Sequence, residues 1–183
     1  MGRIGIVDKF LNIRPRSFPW LKDQALEHSV RTAVAAVVSL LTARLFGLSE
    51  AYWAAITTLI VMQSNVTATL TVSLRRLAGT ALGVSIGAAM ATEFGSNVLA
   101  FGGGIFLLGV LCSLLARTNQ RLPEYLDRTA YRYGGVALAV VMLVQRQDPA
   151  WIAAIHRFIE VSIGIAVGLV LTMLWPEREP QQT

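Results

Sequence analysis

Arg157 and Glu160 stand three residues apart in a segment, Ala150 to Trp175, that is otherwise mostly apolar, and His156 directly precedes the arginine. On a helix the i, i+3 and i, i+4 spacings let all three side chains interact. A charge at the centre of a membrane helix costs about 2.5–3.5 kcal/mol to insert. Groups held at that cost have two uses: a buried ion pair that sets helix register, or a site that attracts an anion and relays a proton. Other chemistries lack their residues. There is no clustered His/Cys/carboxylate set for a metal, no Gly-rich loop ending in Lys-Ser or Lys-Thr, and no nucleophile beside a base. The expectation is a protein without catalytic residues, metal or cofactor.

The segment has an earlier counterpart. Arg76-Leu77-Ala78-Gly79-Thr80-Ala81-Leu82-Gly83-Val84-Ser85-Ile86-Gly87 returns 81 residues on as Arg157-Phe158-Ile159-Glu160-Val161-Ser162-Ile163-Gly164-Ile165-Ala166-Val167-Gly168, and Tyr52 and Tyr133 repeat at the same offset. Arg76, Gly79, Gly83 and Gly87 fall on one helical stripe, as do Arg157, Glu160, Gly164 and Gly168. Glycines at such spacing admit a second backbone. The simplest packing sets the two repeated helices glycine face to glycine face. The copies differ in kind at one place, where Glu160 replaces the glycine of Gly79. The arginines read as anion attractors, one toward each mouth of a central path, with Glu160 and His156 as a gate or proton relay; the alternative for Arg75 and Arg76 is positive-inside anchoring by snorkelling to headgroups. Tyr52 and Gln63, polar groups in a short apolar segment, line the same path.

The elements that carry these residues follow from composition. Hydrophobic residues make up 54% of the chain and the mean hydropathy is +0.56, too apolar for an ordinary soluble domain. Six apolar runs predict helices over about 30–48, 51–63, 68–92, 98–116, 130–144 and 150–175. The second and fifth are too short for a full crossing; short segments at matching places in repeated halves point to a pathway, or else to helices that extend into polar turns or sit in a locally thinned bilayer. With the N-terminus inside, thirteen of the sixteen Lys and Arg residues face the cytoplasm, and only Arg44 and Arg146 lie outside. The positive-inside rule then places both termini in the cytoplasm. Three spans per half make the halves antiparallel. The predicted fold is an all-α integral membrane protein with six transmembrane helices in two inverted three-helix repeats.

Residues 1–27 form a cytoplasmic or interfacial segment, 28–176 the membrane domain and 177–183 a polar tail. The N-terminal segment lacks the uninterrupted apolar core of a cleavable signal. The net charge of +5 comes from residues at helix ends and not from a basic patch with interleaved aromatics, so nucleic acid is not an expected partner. Asn65-Val66-Thr67 matches a glycosylation sequon but faces the cytoplasm in this topology.

Tyr52-Trp53-Ala54-Ala55-Ile56-Thr57-Thr58-Leu59-Ile60-Val61-Met62-Gln63, followed by Arg75-Arg76-Leu77-Ala78-Gly79-Thr80-Ala81-Leu82-Gly83, resembles the fusaric acid resistance–like (FUSC) family of aromatic acid exporters. The resemblance covers about residues 28–176. It implies a six-helix module in the bacterial inner membrane, efflux of organic anions such as aromatic carboxylates, and a homodimer or larger assembly in the lipid bilayer. The large cytoplasmic domain that many members carry after the sixth helix has no counterpart here. The alternative to a transporter is therefore an accessory membrane subunit that assembles with a partner.

Overall fold

A computed structural model describes residues 19–118, 128–144 and 149–175. Six helices occupy them: α1 Pro19–Leu45, α2 Tyr52–Val61, α3 Val66–Phe94, α4 Val98–Thr118, α5 Arg128–Leu143 and α6 Ala150–Leu174. No strand occurs among the described residues. Three helices, α3, α4 over Val98–Leu115, and α6, are long and apolar enough to cross a membrane, whereas α2 and α5 are shorter apolar helices. At 1.5 Å per residue the ten residues of α2 rise only about 15 Å. The predicted polar tail and most of the N-terminal segment lie outside the described residues. The first helix starts earlier than predicted. α1 begins at Pro19, well before the apolar run, because proline suits the first helical turn and good helix formers follow it.

Local chemistry sets the helix ends. α1 stops at Gly47, whose φ of 71° the chain needs in order to reverse. There the Leu48 N–H donates to Ala43 O at 3.2 Å and the Gly47 N–H to Arg44 O at 2.9 Å, the pair of bonds that closes a Schellman turn. α3 starts at Asn65, whose Oδ1 accepts the Ala68 N–H at 2.8 Å. The sequon asparagine is thus a helix cap.

α3 and α6 pack against each other at the centre. Each is flanked by the short helix from the opposite half: α5 lies on α3 and α2 on α6. The long helices α4 and α1 lie outside these. Ile86, Leu108, Cys112, Leu138 and Met142 form the core on the α3–α4–α5 side. On the other side, Ala43, Leu48, Ala51 and Ala54 join α1 to α2, and Val61, Val161 and Ile165 join α2 to α6. The outward faces are apolar as well. Val34, Val37 and Leu41 on α1, and Leu99, Phe106 and Leu107 on α4, are all exposed. An exterior of that kind is matched to hydrocarbon and not to water.

The glycine stripes do not face each other. A side chain on Gly79 would run into the Ala130 carbonyl, and one on Gly83 into the Gly134 carbonyl, both on α5. Gly164 meets Ala54 and Thr57 of α2, and Gly168 meets Val61 and Thr58. Each stripe therefore seats a short helix from the other half. α5 supplies its own small residues, Ala130 and Gly134, at the crossing, so the α3–α5 backbones come closer than two long helices with larger flanking side chains can. The Thr58 hydroxyl adds an inter-helix bond to Gly164 O at 2.9 Å.

Candidate functional site

Two buried arginines converge on one face of α2. Trp53 and Thr57 are four residues apart, which places them on the same side of that helix one turn from each other. Arg157 reaches across from α6, and its Cζ lies 3.6 Å from the Trp53 ring centroid. Arg76 comes from α3, and its Nε and Nη2 donate to Thr57 Oγ1 at 3.3 and 3.1 Å. Its Cζ also lies 5.0 Å from the Tyr133 ring on α5. Both arginines are buried, with 3% and 2% of their surface exposed. Arg157 lies within reach of the charge on Arg76.

One carboxylate serves this pair from within. Glu160, 2% exposed, stands 3.9 Å from Arg157 Nη1. That distance allows Coulombic attraction but is too long for a hydrogen bond. Arg157 Nε and Nη1 find no hydrogen-bond partner among the described residues. A buried guanidinium normally satisfies its donors, so these two N–H groups are the strongest chemical feature of the site. Glu50, in the turn between α1 and α2, accepts the Trp53 indole N–H at 3.1 Å and holds the ring under Arg157.

Arg76 and Arg157 do not stand at opposite mouths. α3 extends ten residues beyond Arg76 on its N-terminal side, about 15 Å of rise. Arg76 is thereby carried to mid-helix and brought level with the α2 face that Arg157 also reaches. Tyr52, half exposed, touches Trp53 with ring centroids 5.5 Å apart, while His156 is half-buried beside Arg157. Gln63 lies at the other end of α2, where its carbonyl accepts a bond from Arg31 Nη2 at 2.8 Å. The glycines Gly79, Gly83, Gly87, Gly164 and Gly168 hold the short helices, as described above. Sequence reasoning gave Trp53 no part in the site; its four-residue spacing from Thr57 was the available signal. Glu50 and the buried Arg31 gave no comparable signal. Among the described residues no group of three or more His, Cys, Asp or Glu side chains is placed to hold a metal ion.

Thr57→Val tests the α2 face directly. It keeps the shape but removes the acceptor of a buried, charged donor, which costs about 1–3 kcal/mol. A clear fall in melting temperature of the purified protein is expected, and an unchanged melting curve would remove Thr57 from the site.

Apolar outward faces around a buried charged cluster define a helical membrane protein with a polar centre. The chain belongs to the fusaric acid resistance protein-like family, whose model matches residues 29–171. That is a family of membrane transporters, not of enzymes. No curated protein and no solved structure matches the chain.

Proposed function

We propose that the protein is an inner-membrane efflux carrier or channel for organic anions, aromatic carboxylates among them. In this reading the chain crosses the membrane six times as two inverted three-helix repeats, with both termini in the cytoplasm. The repeated sequence and the exchange of short helices between the halves support that arrangement. The observation that carries the function is the convergence of Arg76 and Arg157 on one face of α2 with Glu160 beside them. Two buried arginines, one of them with two N–H groups lacking hydrogen-bond partners among the described residues, make a desolvated site suited to an added anion.

The pathway follows α2, from Tyr52 at its outer end, past the arginines, to Gln63 at its inner end. His156 and Glu160 stand where access or a coupling proton is controlled. A homodimer or larger assembly, through the exposed apolar helices, completes the working unit.

The test is flux of labelled aromatic acids in liposomes that contain only the purified protein. Wild type is expected to transport, and Arg157→Gln to lose at least about tenfold in rate, the equivalent of 1.4 kcal/mol. Absence of flux for a broad panel of carboxylates would favour the accessory-subunit alternative. Flux that survives Arg157→Gln unchanged in a folded variant would remove Arg157 from the path.

A further inference from the structure

We propose that Glu160 is a built-in competitor for Arg157, a tethered carboxylate that holds the guanidinium between transport events and yields it to a monocarboxylate. The inference rests on the transport reading above and specifies how its site releases what it binds. Strong Arg–carboxylate pairs close to about 2.7–2.9 Å, often through two parallel bonds. Glu160 stops at 3.9 Å. The Trp53 ring, 3.6 Å from Arg157 Cζ, engages the guanidinium from α2, while Glu160 sits on the arginine's own helix. Arg157 Nε and Nη1 consequently remain without hydrogen bonds among the described residues.

A free carboxylate has no tether and can approach those N–H groups at bonding distance. It wins on geometry, whereas Glu160 wins on effective concentration because it is always present. Two competitors so matched exchange readily, as a site that must both load and unload requires.

The other half of the molecule lacks this device. The position equivalent to Glu160 is Gly79, where the α5 backbone fills the space that a side chain would need. Arg76 bonds the neutral Thr57 hydroxyl instead. Glu160 is thus the carboxylate that Arg157 meets on its own helix, and Glu50 adds a second attraction from the turn before α2. Glu50 is half-buried in the turn before α2 and binds the indole of Trp53.

The experiment uses the full chain with benzoate as probe. Benzoate binding is measured by titration calorimetry in detergent and benzoate flux in liposomes. Coupling between close, buried charges is worth about 1.5 kcal/mol or more, so Glu160→Gln is expected to bind benzoate at least about tenfold more tightly. Its KM should fall together with its maximal rate, because the bound anion is no longer driven off. A merely structural carboxylate would not produce that split. Binding by Glu160→Gln that equals or falls below wild type, while wild type binds and transports, overturns the competitor role. If Glu160→Gln does not fold, Glu160→Asp gives the same reading, since its tether is one methylene shorter: tighter binding supports the role, and unchanged or weaker binding overturns it. A wild type that neither binds nor moves any carboxylate refutes the transport reading itself, a distinct result.

Discussion

Gly83→Ala is expected to prevent stable folding, while Gly102→Ala leaves the protein intact. In an isolated helix both changes help, by about 1 kcal/mol, since alanine is the better helix former. Their surroundings reverse that order. A Cβ on Gly83 would fall within the van der Waals envelope of the Gly134 carbonyl and Cα on α5, whereas one on Gly102 meets nothing within 4 Å. Backbone atoms cannot rotate aside, so α3 and α5 would have to separate along their whole contact. Overpacking a well-filled interior costs about 1–3 kcal/mol, occasionally more, and a backbone-to-backbone clash belongs at or beyond the top of that range. Gly87→Ala provides the intermediate case, because its nearest neighbours lie at 3.2 Å, one of them the Val141 side chain. Thermal unfolding in detergent, followed by size-exclusion chromatography, is expected to rank Gly102→Ala above Gly87→Ala and both above Gly83→Ala. Equal behaviour of Gly83→Ala and Gly102→Ala would refute the packing of α3 on α5.

The second large effect is expected at Arg31. This side chain is fully buried and joins three helices at the end where α2 and α6 finish. Its Nη1 donates to Trp175 O and its Nη2 to Gln63 O, each at 2.8 Å. Both acceptors are carbonyls just beyond a helix C-terminus, where the helix leaves oxygens without partners and a cation is favoured. One turn earlier on α1, Glu27 accepts the Trp175 indole N–H at 2.9 Å. Arg31→Met retains most of the apolar stem but strands two carbonyls. At about 1–3 kcal/mol for each of the two lost partners, the expected destabilisation is about 2–6 kcal/mol. Arg31→Lys should recover only part of it, because an ammonium lacks the planar fork that spans two acceptors. The readout is the melting temperature of each variant. A melting curve for Arg31→Met that overlays wild type would show that the clamp contributes nothing.

Much of the fold could be read from the chain. Apolar run length located all six helices, and the main discrepancy, the early start of α1, arose because hydropathy cannot follow a helix into polar sequence. Of the site, the unusual residues were visible because a charge in an apolar helix is conspicuous: Arg157, Glu160 and, by repetition, Arg76. Their environment was not visible. Trp53 has an ordinary composition for a membrane interface, and nothing local in the sequence distinguishes a ring facing lipid from one beneath a guanidinium. Arg31 was counted among the cytoplasmic positive charges, whereas the fold turns it inward to bind the ends of two helices far away in sequence.

The division has a physical cause. Periodicity, charge and length act along the chain, and from them alone follow a helical membrane protein, the places of its helices, the faces that carry glycine and the point where one carboxylate breaks the repeat. A glycine stripe declares that some backbone will come close, but not which one. That choice depends on complementarity between surfaces distant in sequence, which exists only once the chain has folded. α5 seats on α3 and α2 on α6 because small residues on both sides permit the closest approach. The same choice carried Trp53 and Thr57 to the two arginines and left Arg157 with N–H groups to offer.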